Sequence, residues 1–222
     1  MFHNNRMSDL SLSLALWGGR QIARYGLWAV TRSQVSIENQ PAGTRFIPVN
    51  WHSYNLVAIA AVNLHLRWKA YTFTPPGVIG TSARGLHLQS GLNIVPLPED
   101  GTGNPITAMK TMVKALDNGG TPIIALDGPH GPAWQVRPGA LWLARLSGAP
   151  LIPAGVAASP EMRFPRWDRH LIPTPGGRIA ITFGEPITIG RREEITEDHL
   201  ARVGKALDEC NRRANEMVRR SG

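Results

Sequence analysis

Thr121-Pro122-Ile123-Ile124-Ala125-Leu126-Asp127-Gly128-Pro129-His130-Gly131-Pro132 is the stretch on which the fold turns. Its first half is apolar, too short for a helix, and bounded by Gly119-Gly120 on one side and an Asp-Gly-Pro loop on the other, so it reads as a short strand. A helix precedes it: Asn104 caps and Pro105 opens a run that places Ile106, Met109, Val113 and Leu116 on one face, and Gly119-Gly120 end it. A second helix follows, opened by Pro138 and ended by Gly148.

The alternation continues outward. Val35 to Asn39 and Arg45 to Asn50 read as strands, Ser53 to Leu66 as a buried helix, and Trp68 to Thr72 as a strand. Ser82 to Ser90 reads as a helix, and Asn93 to Leu97, Leu151 to Ala157 and Arg178 to Phe183 as extended segments. Thr196 starts a last helix, in which Leu200, Val203, Leu207, Cys210, Ala214 and Met217 recur at spacings of three and four. Strands alternating with helices predict an α/β sandwich, a single domain with a mainly parallel sheet flanked by helices. Ligands of such sheets sit at the carboxyl ends of strands.

Composition sets the bounds. The chain has 222 residues, enough for one substantial core, and its hydrophobic fraction of 42% fits a globular protein rather than a disordered one. A single cysteine, Cys210, excludes an intramolecular disulfide. The formal net charge of +8 favours anionic partners, among which phospholipid headgroups and phosphorylated small molecules rank above nucleic acid, for which there is no recognised motif. No apolar run approaches the roughly 18 residues of a membrane span. Residues 1–34 read as an N-terminal helical segment, either packed on the domain or anchored at a membrane surface. Ser8-Asp9 caps it, and Trp17, Tyr25, Trp28, Arg20, Arg24 and Arg32 suit a membrane-surface anchor. Residues 35–222 make the α/β domain. The expected location is cytoplasmic, peripheral on the inner membrane face.

Two of the expected strands deliver titratable groups. Phe46-Ile47-Pro48-Val49-Asn50 runs into Trp51-His52-Ser53, just before a helix, and Ile123-Ile124-Ala125-Leu126 runs into Asp127. If these strands are parallel neighbours, His52 and Asp127 share one edge of the sheet. An imidazole there can take a proton from a substrate hydroxyl, with a nearby carboxylate fixing its tautomer. Two glycines and two prolines in residues 127–132 fix a tight turn that can aim backbone N–H groups at the same point. Arg137, before the helix-opening Pro138, and Arg84, on a helix, are candidate anion contacts. The seven histidines show no metal-ligand spacing, and Gly101-Thr102-Gly103 lacks the rest of a nucleotide loop.

Three runs carry a family resemblance. They are Leu126 to Pro132, then Val136-Arg137-Pro138-Gly139, then Leu143 to Pro153 (Leu-Ala-Arg-Leu-Ser-Gly-Ala-Pro-Leu-Ile-Pro). Together they resemble one branch of the lysophospholipid acyltransferase-like superfamily, whose pattern is D-G-P-R-G-P, a helix-opening P-G, then L-A-x-x-S-G-A-P-I-V-P. Trp51-His52, Trp167-Asp168-Arg169 and Phe183-Gly184-Glu185-Pro186-Ile187 match flanking segments, so the likeness covers roughly residues 35 to 215.

The resemblance implies an acyltransferase-like fold and an enzyme. It would move a fatty acyl group from acyl-CoA or acyl-carrier protein to a hydroxyl of a lysophospholipid or related lipid. The thioester is a co-substrate, with no other cofactor and no metal. His52 matches the catalytic His of the superfamily's H-x-x-x-x-D motif, and Asp127-Gly128 match the Glu-Gly of its E-G-T-R motif. The expected site is therefore His52 and Asp127 for catalysis, and Gly128, Pro129, His130, Gly131, Arg137 and Arg84 for substrate binding.

The chain departs from the pattern in three places. Val57 stands where the motif has its Asp, leaving Asp127, Glu99 or Asp100 to orient His52. His130 stands where the branch has Arg, and no acid is evident around Pro75 to Ser82. These departures keep a second reading open, a non-catalytic lipid-binding protein on the same fold. Acceptor, chain length and oligomeric state are not legible.

Overall fold

The computed structural model describes residues 9–98, 105–128 and 131–220. In chain order the elements are α1 (Asp9–Thr31), β1 (Gln34–Glu38), β2 (Ile47–Asn50), α2 (Asn55–Ala61), β3 (Ala70–Thr74), α3 (Gly77–Gln89), β4 (Asn93–Pro96), α4 (Pro105–Asp117), β5 (Thr121–Pro122), β6 (Ile124–Ala125), α5 (Gly139–Ser147), β7 (Leu151–Arg163), β8 (Leu171–Phe183) and α6 (Glu197–Arg220). One sheet has the order β1-β8-β7-β2-β6 and a second the order β4-β3-β5. The segment 121–125 joins them, since its first two residues pair with β3 and its last two with β2. All pairings are parallel except the β7–β8 hairpin. The chain is thus a mixed α/β domain with a mainly parallel sheet.

The core is drawn from both faces of this sheet. Ile47, Val49, Val57, Leu141, Leu143, Leu151 and Met112 are fully buried, each contributing roughly 1.5–3 kcal/mol of transfer free energy. Val57 lies in this core, so the position five after His52 is packing and not chemistry. Cys210 is buried too, and burial pushes its thiol up, as its place on the apolar stripe of α6 requires.

The segment expected as one helix over residues 53–66 is three pieces. A single 3-10 turn (His52–Tyr54) leads into α2, and a π-helical stretch (Val62–Leu66) ends at Arg67, whose φ of 53° is left-handed. α3 starts five residues earlier than expected, at Gly77.

The hairpin differs most. β7 and β8 run well beyond the expected ends, to Arg163 and back to Leu171. Pro160, Pro173 and Pro175 are residues that strand interiors disfavour. The structure accommodates Pro160 at a register shift between Ser159 and Glu161, where a lost ladder bond costs little. The extended hairpin carries its tip, residues 164–170, over the carboxyl end of β2.

α1 is continuous through Gly18-Gly19. Gly19 is a crossing point: a Cβ there would overlap the Ser82 carbonyl of α3, and one on Gly85 of α3 would overlap the Leu16 carbonyl of α1. The two helices touch backbone to backbone, which only glycine permits. Gly19, Ala23, Gly26, Ala29 and Val30 form the buried side, and Tyr25 anchors the helix by donating its hydroxyl to the Pro173 carbonyl at 2.9 Å. The outer side leaves Leu10, Leu14, Trp17 and Trp28 exposed. No described helix is long and apolar enough to cross a membrane.

Candidate functional site

The site begins where β2 ends. Asn50 is buried and donates its side-chain amide to the Trp51 carbonyl at 2.9 Å and to Asn55 Oδ1 at 2.8 Å, which turns the chain from strand into helix. Trp51 is held by its indole N–H on Asp208 Oδ1 at 3.1 Å. These bonds fix the backbone on either side of His52.

Asp127 lies beside it, as the parallel pairing of β2 with β6 requires. Its carboxyl, however, does not face the imidazole. Oδ1 accepts the His52 main-chain N–H at 2.7 Å, and Oδ2 accepts the Trp134 N–H at 2.9 Å. Asp127 is fully buried and ties the main chain at Trp134 to the His52 turn. Each of its oxygens meets a main-chain N–H, and the His52 ring takes its carboxylate from elsewhere. Gly128 supports the ring itself: a Cβ there would sit 2.8 Å from His52 Cδ2.

The carboxylate on the His52 ring is Asp168, from the hairpin tip. Its Oδ2 lies 2.7 Å from His52 Nδ1 and 3.0 Å from His170 Nδ1. An ionised carboxylate only accepts, so both rings donate from Nδ1, and a neutral ring so held has its lone pair on Nε2. Arg166 Nε is 3.8 Å from the other oxygen. The Ser53 hydroxyl donates to the Asp168 main-chain carbonyl, tying the tip to the His52 turn. Trp167 closes the arrangement, its ring 5.2 Å from that of His52 and packed on Gly131. Burial pushes the Asp168 carboxyl up, but the hydrogen bonds from His170 and His52 outweigh it and hold the group well below the usual carboxylate range.

The ligating atoms of His52, Asp168 and His170 lie within 4.8 Å of one another, as a metal site would need. The same atoms are joined by hydrogen bonds, Asp168 Oδ2 to each Nδ1.

Beside the two histidines opens a cavity of about 810 Å³. Leu56, Ile59, Phe73, Leu86, Leu92 and Met109 line it, and Ile22, Val78, Ile79 and Phe164, all exposed, rim it. Its polar groups include His52, His170, Arg137, Arg166 and the buried His87, with Asn55, Thr72 and Ser82 also on the lining. Such a volume lies within the range of small-molecule sites, and an apolar lining with few polar groups is their usual make-up.

The expected site residues divide. His52, Gly128 and Arg137 border the cavity, and Arg137 donates to the Gly131 carbonyl. Gly131, in the left-handed region at φ 73°, packs beneath Trp167 and not on the cavity. Arg84 is exposed on α3 and does not border the cavity, because Gly85, its neighbour, is the residue turned onto α1. Pro129 and His130 lie outside the described residues, as do Glu99 and Asp100, offered as orienting carboxylates. Asp168 and His170 were missed. The tryptophan and acid at 167–168 stand out in the sequence, but nothing local says that a hairpin returns them to residue 52.

No protein-family model matches the chain. A protein of Rickettsia prowazekii (strain Madrid E), named "Uncharacterized protein RP090", is 27% identical over 159 residues, 72% of this chain and 71% of its own length. The likeness spans most of both chains, and its printed name carries no activity.

Proposed function

We propose that this chain is an acyltransferase that moves a fatty acyl group from acyl-CoA or acyl-carrier protein to a hydroxyl of a lysophospholipid or related lipid. One observation carries the reading. A strand-end imidazole, oriented through Nδ1 by a buried carboxylate at 2.7 Å, borders a cavity of about 810 Å³ with an apolar lining.

In this mechanism His52 Nε2 takes the proton of the acceptor hydroxyl as its oxygen attacks the thioester carbonyl. Asp168 stabilises the imidazolium as it forms. The tetrahedral intermediate expels the thiolate, which takes the proton back from His52. General-base help of this kind is typically worth about 10²–10⁴-fold in rate. The cavity takes the chain, while Arg137 and Arg166 at its polar border meet an anionic headgroup. The resemblance at residues 126–153 points the same way, and Asp168 supplies the carboxylate that Val57 does not.

The exposed Leu10, Leu14, Trp17 and Trp28 of α1, with the apolar rim of the cavity, suit a peripheral position on an anionic membrane face.

Thioester consumption with a panel of lysolipid and sugar-lipid acceptors tests the reading. Wild type should consume thioester with at least one acceptor, and His52→Ala should not while keeping its circular dichroism. His170→Ala, which leaves the His52–Asp168 bond intact, should retain transfer. Full activity in His52→Ala would refute the assignment. Chain binding without thioester consumption across the panel would favour a lipid-binding protein, a reading the apolar cavity also supports.

A further inference from the structure

Among the cavity groups that the mechanism above does not use is a buried imidazole. His87 sits in the last turn of α3, 8% exposed, and lines the cavity together with Phe73, Leu86, Leu92 and Leu97. Its Nδ1 makes a long contact of 3.5 Å with the buried Thr74 hydroxyl. Its Nε2 has no partner among the described residues. Burial first, and repulsion from His52 second, lower this imidazole to about 4, so it is neutral at ordinary pH. A neutral imidazole offers one donor and one acceptor.

A plain hydrocarbon chain filling this cavity would strip water from Nε2 and return nothing, which is the costly way to bury a polar atom. A chain hydroxyl both donates and accepts, so it satisfies either tautomer of the ring. It also needs no charge, matching a neutral partner inside an apolar wall. A ketone or an ether only accepts, so it matches only one tautomer. A charged substituent would be stranded without a counter-ion.

We propose that the cavity selects a fatty acyl chain bearing a hydroxyl, hydrogen-bonded to His87. This deepens the acyl-transfer reading and rests on the cavity being the chain site. It names the donor class as hydroxyacyl thioesters and makes His87 a specificity residue, with no part in moving the proton of the reaction.

The test uses the full chain and binding rather than turnover. Free fatty acids of one length, unsubstituted or hydroxylated at successive carbons, displace a fluorescent fatty acid from the purified protein. One hydroxyl position should bind about 10-fold or more tightly than the plain chain, the size expected of one buried hydrogen bond. His87→Leu should erase that preference and bind the plain chain at least as well as wild type. His87→Gln, which keeps a donor and an acceptor, should retain part of it.

A wild type without preference at any position overturns the proposal, even if His87→Leu fails to fold. A preference that survives in His87→Leu, or the absence of any chain binding, overturns it equally. Because no thioester is consumed, failure of acyl transfer in the separate turnover assay leaves this result intact and is told apart from it.

Discussion

His87 should make the fold sensitive to mild acid. Its folded value is about 4 against the ordinary 6.5, lowered by burial first and by the neighbouring His52 second. Between these two values the unfolded chain binds a proton that the folded chain refuses. Stability therefore rises with pH through this window and falls as pH drops from 6.5 towards 4. The gap, 6.5 − 4 = 2.5, at about 1.36 kcal/mol per pH unit, makes about 3 kcal/mol in full. Roughly 2 kcal/mol of it is lost between about pH 7.5 and pH 5.

Asp168 adds acid sensitivity of its own, but in a lower window. Its folded value is depressed, so its contribution is present above the ordinary carboxylate value near 4 and is lost as pH falls below that. Urea unfolding followed by tryptophan fluorescence, at a series of pH values, separates the two. In His87→Gln the Asp168 contribution remains and the imidazole's is gone. The wild-type stability minus that of the variant should fall by roughly 2 kcal/mol from about pH 7.5 to pH 5. Parallel curves for the two proteins over that range would refute the reasoning.

Two further substitutions test the frame around the site. Asp127→Asn leaves two part-buried backbone N–H groups facing one oxygen, so it should lower unfolding free energy by about 1–3 kcal/mol and reduce transfer with it; an unchanged urea midpoint would leave Asp127 a mere turn former. Gly85→Ala puts a methyl into the Leu16 carbonyl, so α1 and α3 must part and the melting temperature should fall by an amount worth about 1–3 kcal/mol. A melting temperature equal to wild type would show that the helices do not meet backbone to backbone.

Much of the fold follows from local pattern. Gly119-Gly120, Pro138 and Gly148 punctuate the helices, and the apolar runs at residues 47–50 and 121–126 fall where strands form. His52 was legible because a strand running into a polar residue and then a helix marks the carboxyl edge of a sheet. The partner of His52 was not. Asp127 is adjacent through strand pairing, and pairing brings main chains together without saying which way a carboxyl turns. Asp168 reaches the ring only because a long hairpin, with prolines in both strands, folds its tip across the sheet edge. That is a tertiary fact about residues more than a hundred positions from His52. The cavity was equally hidden, since Leu56, Phe73, Leu92 and Met109 read as ordinary core until the structure leaves space between them.

The turnover number of Asp168→Asn measures the central claim most directly. An amide at 168 cannot serve both imidazole N–H groups or stabilise the imidazolium, so kcat for acyl transfer should fall by about 10²–10⁴-fold with KM and fold retained. A kcat within about twofold of wild type would mean that the buried carboxylate on the His52 ring does not serve the reaction.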